Sequence, residues 1–251
     1  ENLSLPVSNS PSVNFMDYNN VGYPDILIDD KICKNNQNGG FEEINMDSTL
    51  EYDYVSNDIG DFNNDGLPDI LITGDDANRV SQEWVYSYLY KQLPNQTFSR
   101  SDFSFINMVY GDAKFIDYDN DGNLDVFLSG ESYSQACQLC DLIYTVQTKL
   151  YKNTEFKKNQ KPSIPTNLKY ELGQSVKFSW NPSNDLETPS AALTYNIKIG
   201  TTKNGGEIVN PTASANNGYK SLPGIGNCGS NTFATYKLKV GQKYYWSVQS
   251  V

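Results

Sequence analysis

The chain has 251 residues, a formal net charge of −11 and no histidine. That charge leaves no basic face for phosphate contacts, so nucleic acid is not an expected partner, and the missing imidazole removes Ser-His-Asp and Cys-His catalysis, histidine-ligated zinc and most general-base schemes at neutral pH. No apolar run approaches the roughly 20 residues of a membrane span, and no signal peptide opens the sequence.

In chain order, residues 1–16 are polar and turn-rich and end in Val13-Asn14-Phe15-Met16, an alternating strand that delivers Asp17. Asp17-Tyr18-Asn19-Asn20-Val21-Gly22-Tyr23-Pro24-Asp25 then precedes the apolar run Ile26-Leu27-Ile28. The same phrase returns as Asp61-Phe62-Asn63-Asn64-Asp65-Gly66-Leu67-Pro68-Asp69 before Ile70-Leu71-Ile72. It returns again as Asp117-Tyr118-Asp119-Asn120-Asp121-Gly122-Asn123-Leu124-Asp125 before Val126-Phe127-Leu128. Ile59-Gly60 and Ala113-Lys114-Phe115-Ile116 are the matching lead-ins.

Oxygen-bearing side chains at positions 1, 3, 5 and 9 around a glycine at position 6 suit a calcium ion. Ca²⁺ takes six to eight oxygens at about 2.3–2.6 Å, so a loop curled around it needs carboxylates at alternate positions with a backbone carbonyl between them. Two like charges about 4 Å apart repel by about 4 kcal/mol at an effective dielectric near 20, so the closed loop needs the metal. One ion is assigned to Asp61, Asn63, Asp65, the Leu67 carbonyl and Asp69, and a second to Asp117, Asp119, Asp121, the Asn123 carbonyl and Asp125. Val21 at position 5 cannot coordinate, which makes Asp17 to Asp25 a degenerate copy. For one such cluster a solvated turn is the ordinary reading; three copies in register, each with an aromatic at position 2 and a strand after position 9, favour the metal. An EF-hand is excluded, because position 12 is Ile72 or Leu128 instead of glutamate and short glycine-bounded strands stand where helices are required.

The pattern D-x-[DN]-x-D-G-x-x-D, followed by an apolar strand and a glycine, resembles the FG-GAP/VCBS repeat of integrin-type β-propellers and of secreted bacterial surface proteins. The likeness extends past the loops: Leu150-Tyr151-Lys152-Asn153 with Phe156, Leu89-Tyr90-Lys91 with Thr97-Phe98, and Ile32-Cys33-Lys34-Asn35 with Gly40-Phe41 fit that family's "LYKN" and "G-x-F" outer strands. It covers about the first 160 residues, with Val21 and long insertions as departures. The resemblance implies an all-β chain whose first part is a partial β-propeller of three calcium-loop blades. A closed propeller takes about four to eight blades, so the chain is expected to be a fragment of a longer one.

Loop spacing grows from 44 residues (Asp17 to Asp61) to 56 (Asp61 to Asp117), and the extra length falls around Asp75 to Trp84 and Glu131 to Tyr144. Such insertions map to loops on one face. Trp84, Tyr86, Tyr88 and the Tyr133/Cys137/Cys140 segment are therefore candidate contacts, with ordinary strand packing as the alternative for the aromatics. The four cysteines are Cys33, Cys137, Cys140 and Cys228. Cys137-Gln138-Leu139-Cys140 has no second pair to complete a zinc site and no βαβ setting for redox chemistry, which leaves a local disulfide or two inert thiols.

Lys157-Lys158-Asn159-Gln160-Lys161-Pro162-Ser163-Ile164-Pro165 is a charged, proline-bearing connector, dividing blades over 1–160 from a second domain over 161–251. In the second domain Leu168–Glu171, Ser175–Trp180, Leu193–Gly200, Tyr236–Leu238 and Lys243–Val251 alternate like half-buried strands. This half resembles a fibronectin type III domain through Pro162, Pro165, Trp180, Tyr195, and Leu238 with Tyr244 at the place of a tyrosine corner. Val240 replaces the corner's usual proline, and the last strand of that fold is missing from the sequence.

These readings predict a non-catalytic, calcium-stabilised binding, adhesion or assembly module, secreted or at a cell surface, with a protein or glycan partner or a place in a larger surface complex. The rival is a scaffold part of a secreted polysaccharide-acting enzyme or lectin, for which Glu83, Asp102 or Asp112 would have to supply acid/base chemistry.

Overall fold

The computed structural model describes residues 5, 12–46, 52–76, 85–134, 143–154, 160–211, 213 and 224–251. Among them all regular structure is antiparallel β, in several small sheets with no helix and no closed barrel or propeller. The chain divides into two compact units, Glu1–Asn19 with Tyr23–Lys158, and Asn20–Gly22 with Asn159–Val251.

Three sheets make up the first unit. β1 (Val13–Met16), β2 (Asp25–Ile28), β3 (Lys31–Asn35) and β4 (Phe41–Asn45) lie side by side in chain order. β5 (Tyr52–Gly60), β6 (Asp69–Asp76), β7 (Val85–Gln92) and β8 (Phe98–Arg100) repeat the arrangement, and β9 (Val109–Ile116), β10 (Asp125–Ser134) and β11 (Ile143–Tyr151) form the third sheet. The apolar triplet after each loop is continuous because both faces of the middle sheet are covered, and side chains alternate between those faces. Ile70 and Ile72 pack with Met16, Tyr18, Leu27 and Ile32 of the first repeat. Leu71, between them, turns to the other side and packs with Ala113, Phe115, Val126 and Leu128 of the third.

Equivalent positions behave alike until the third sheet. Leu27 with Ile32, and Leu71 with Leu89, are wholly buried against the following sheet. Their third-repeat counterparts are Phe127, half-buried, and Leu150, 48% exposed, beside Tyr144 and Val146 at 61% and 78% on the same side of β11. The third sheet therefore carries an apolar face that its two predecessors bury.

The insertions differ from expectation. The β6–β7 ladder continues to Asp75 opposite Val85, and the β10–β11 ladder to Ser134 opposite Ile143, so part of the extra length extends the hairpins instead of forming loops. Tyr86 is a core residue at 4% exposure, and Tyr88 stacks beneath the Arg100 guanidinium at 4.6 Å, so strand packing accounts for both. Trp84, Cys137, Cys140 and Phe156 lie outside the described residues. Cys33 is a buried thiol and Cys228 a half-buried one.

In the second unit β12 (Thr166–Glu171), β13 (Val176–Asn181) and β15 (Phe233–Tyr236) form one sheet, and β14 (Tyr195–Gly200) pairs with β16 (Tyr245–Ser250). Their shared core is Phe178, Trp180, Leu193, Tyr195, Ile197, Ile199 and Val248. The strand expected at Tyr236–Leu238 lies earlier, because β15 pairs with β13 from Phe233 opposite Ser179 to Tyr236 opposite Val176. Leu238 still packs on the core, and the Tyr244 hydroxyl accepts from the Lys239 N–H at 2.9 Å.

Candidate metal centre

All three nine-residue loops share one backbone conformation. Position 4 is left-handed in each, with φ of 55° at Asn20, 54° at Asn64 and 59° at Asn120, and position 6 follows with Gly22 at 85°, Gly66 at 86° and Gly122 at 90°. Asparagine tolerates the left-handed region better than most L residues, and glycine enters it without a Cβ penalty. The position-4 asparagines, unremarked in the ligand pattern, are thus part of what curls the loop.

Hydrogen bonds then fix the carboxylates. In the second loop the Asp61 carboxylate accepts from the Asp65 and Gly66 N–H groups at 2.9 and 2.8 Å, and Asp65 Oδ1 accepts from Leu67 N–H at 2.9 Å. In the third loop Asp117 accepts from Asp121 and Gly122 at 3.0 and 3.1 Å, and Asp121 from Asn123 at 2.9 Å. The aspartate at position 9 is buried in every copy: Asp25, Asp69 and Asp125 are at most 1% exposed. One of its oxygens accepts from the position-2 N–H, at 2.7 Å from Tyr18, 3.1 Å from Phe62 and 3.2 Å from Tyr118. The other accepts from an N–H at the end of the repeat's third strand, that of Asn35 (2.6 Å) or Gln92 (2.9 Å), or two residues past it, that of Asn153 (2.8 Å).

Electrostatics follow from this crowding. Burial, with Asp61 and Asp65 nearby, pushes Asp69 up to about 7, and burial also raises Asp25 and Asp125. Oxygens of Asp117, Asp119 and Asp125 converge to within 4.8 Å of one another, the one such carboxylate group among the described residues. An all-oxygen set at that spacing suits a hard cation, so the donor chemistry fits calcium. Asp121 stands at the edge of this group: the Lys152 ammonium bonds Asp119 and lies 3.3 Å from Asp121 Oδ2. Hydrogen bonds to the two carboxylates raise the lysine, while the Asn123 N–H and then Lys152 hold Asp121 low. In the first loop Val21 is 39% exposed, and it contributes no donor oxygen from its side chain.

Of the carboxylates an enzyme would need, Glu83 lies outside the described residues. Asp112 accepts from Ser56 Oγ at 2.7 Å and lies 3.4 Å from Lys114 Nζ, bracing the second and third sheets. Asp102 lines a shallow groove with Lys91, Arg100 and Phe103. Among the described residues no helix is long and apolar enough to cross a membrane.

A family model described as an FG-GAP-like repeat matches residues 61–128, which hold the second and third loops whole. Repeats of that family are typically extracellular, often bind calcium and are generally non-catalytic structural or binding modules. No curated protein and no solved structure is similar enough to this chain to count as a match.

Proposed function

We propose that this chain is a calcium-stabilised, non-catalytic module of a secreted or cell-surface protein that serves binding, adhesion or assembly. Residues 1–160 act as three propeller-type FG-GAP/VCBS blades, and residues 161–251 as a fibronectin type III-like sandwich. The observation that carries the reading is the threefold recurrence of one left-handed loop conformation, together with the convergence of Asp117, Asp119 and Asp125 oxygens in the third copy. Asp61, Asn63, Asp65, the Leu67 carbonyl and Asp69 hold one ion; Asp117, Asp119, Asp121, the Asn123 carbonyl and Asp125 hold the other. When bound, calcium supplies the positive charge that offsets the mutual repulsion of these carboxylates.

The exposed apolar face of β10 and β11 supports the assembly side of the reading, because its counterparts in both preceding sheets are buried by a neighbouring sheet of the same kind. Binding of the purified protein to arrayed glycans and to immobilised surface proteins, with and without EGTA, tests the proposal. Retention that is lost with chelator is the expected result. Release of reducing sugar from a polysaccharide would overturn the non-catalytic reading in favour of the enzyme scaffold.

A further inference from the structure

In the second and third repeats one residue at the end of the third strand, or two positions past it, holds two loops at once. In the third repeat the Asn153 N–H donates to Asp125 Oδ1 at 2.8 Å, and the same residue's Nδ2 donates at 2.9 Å to the carbonyl of Phe62, position 2 of the preceding loop. In the second repeat the Gln92 N–H donates to Asp69 Oδ1 at 2.9 Å, and its Nε2 donates at 2.8 Å to the carbonyl of Tyr18, position 2 of the first loop. Gln92 is 1% and Asn153 4% exposed, so both amides are committed deep in the structure. Asn and Gln differ by a methylene, yet each reaches the same carbonyl of its own neighbour.

The position-2 residue is thereby gripped from both sides. Its N–H is held by the position-9 aspartate of its own loop, and its C=O by the amide of the next repeat. One hydrogen-bonded line runs from Asp125 through Asn153, Phe62, Asp69, Gln92 and Tyr18 to Asp25. A second contact ties the last two loops: Asn64 Nδ2, on the left-handed position 4, donates to Asn123 Oδ1 at 3.0 Å.

We propose that Asn153 is a positioning residue that couples the two metal loops, so that loading the third loop raises the calcium affinity of the second; Gln92 makes the same pair of bonds between the second loop and the degenerate first. This rests on the calcium reading above. Position 2 lies between the ligands at positions 1 and 3, so fixing its peptide plane pre-sets Asp61 and Asn63. A cation that orders Asp125 orders Asn153, and Asn153 orders the Phe62 carbonyl. The second loop then loses less conformational freedom when its own ion arrives. Couplings between sites run from about 5- to 150-fold in affinity and are reciprocal.

The test is a cycle of calcium titrations by calorimetry on the chelator-stripped chain, with Asp119→Ala disabling the third loop. In the otherwise native chain, Asp119→Ala should weaken the second loop by about fivefold or more. In an Asn153→Ala background the same substitution should weaken the second loop by a smaller factor, since only the Asn64–Asn123 contact remains, and Asn153→Gln, which copies Gln92, should restore the full effect. A merely structural role for Asn153 would lower stability in urea without reducing this factor. Calcium binding with a second-loop affinity indifferent to Asp119→Ala would overturn the coupling and leave the calcium reading standing, whereas absence of any calcium heat would overturn both. Should Asn153→Ala fail to fold by circular dichroism, the native and Asn153→Gln arms still decide.

Discussion

Replacing Asp69 by asparagine sets two opposing effects against each other, and the metal decides between them. The carboxylate is fully buried and accepts from Phe62 N–H at 3.1 Å and Gln92 N–H at 2.9 Å. An amide of the same shape keeps one acceptor and turns its NH₂ against the other N–H, which costs about 1–3 kcal/mol. Without metal, however, the carboxylate is itself strained: its rise from 3.8 to about 7 means that ionising it well above pH 7 costs the fold about 4 kcal/mol, which asparagine relieves. The relief exceeds the penalty, so in EGTA the variant should be more stable than the native chain by about 1–3 kcal/mol. With calcium at about 100 times its dissociation constant, the native loop gains about 2.7 kcal/mol that the variant forgoes. At about 2–4 °C per kcal/mol, Asp69→Asn should raise the melting temperature in EGTA, and its shift in calcium should lie about 5–11 °C below its shift in EGTA. Differential scanning calorimetry reads both arms. An equal drop in both would refute the reasoning, because the aspartate would then act through its hydrogen bonds alone.

Other substitutions probe separate links. The Lys152 ammonium bonds Asp119 and lies beside Asp121, so Lys152→Ala should tighten calcium at the third loop; calorimetry on an Asp61→Ala background isolates that loop. Leu89→Ala, at a wholly buried position, should cost about 2–5 kcal/mol in urea denaturation, while Leu150→Ala, at the equivalent but half-exposed position, should cost under about 1 kcal/mol. Burial pushes Asp30 up to about 6 from 3.8. Its folded form holds a proton more tightly than its unfolded form, so its contribution is full below pH 3.8 and is lost as pH rises through about 6. Urea midpoints in EGTA should therefore fall between pH 4.5 and 7.5, and Asp30→Asn should flatten that slope.

The loops were legible in the sequence because ligand spacing, glycine and the following strand are all local signals. Position 4 was less so: asparagine there passes for a spacer, and only its φ of 54–59° in three copies reveals a conformational role. Gln92 and Asn153 sit beside the recognisable Leu-Tyr-Lys strand, but their second bonds span 74 and 91 residues, and no window along the chain can show such a partner. The insertions read as loops because the spacing between repeats grows from 44 to 56 residues and extra length of that kind usually falls in loops. Glu131-Ser132-Tyr133-Ser134 instead pairs as a strand and extends the β10–β11 ladder to Ser134 opposite Ile143. The β15 register was misplaced because Tyr236-Lys237-Leu238 alternates as well as Phe233–Tyr236 does, and only pairing with β13 chooses between them.

Calcium titration of the chelator-stripped chain by isothermal calorimetry tests the central claim most directly. Two ions per chain are expected, with one lost in Asp61→Ala and the other in Asp117→Ala. A native chain that takes up no calcium, or that binds it equally well with both aspartates replaced, would contradict the account.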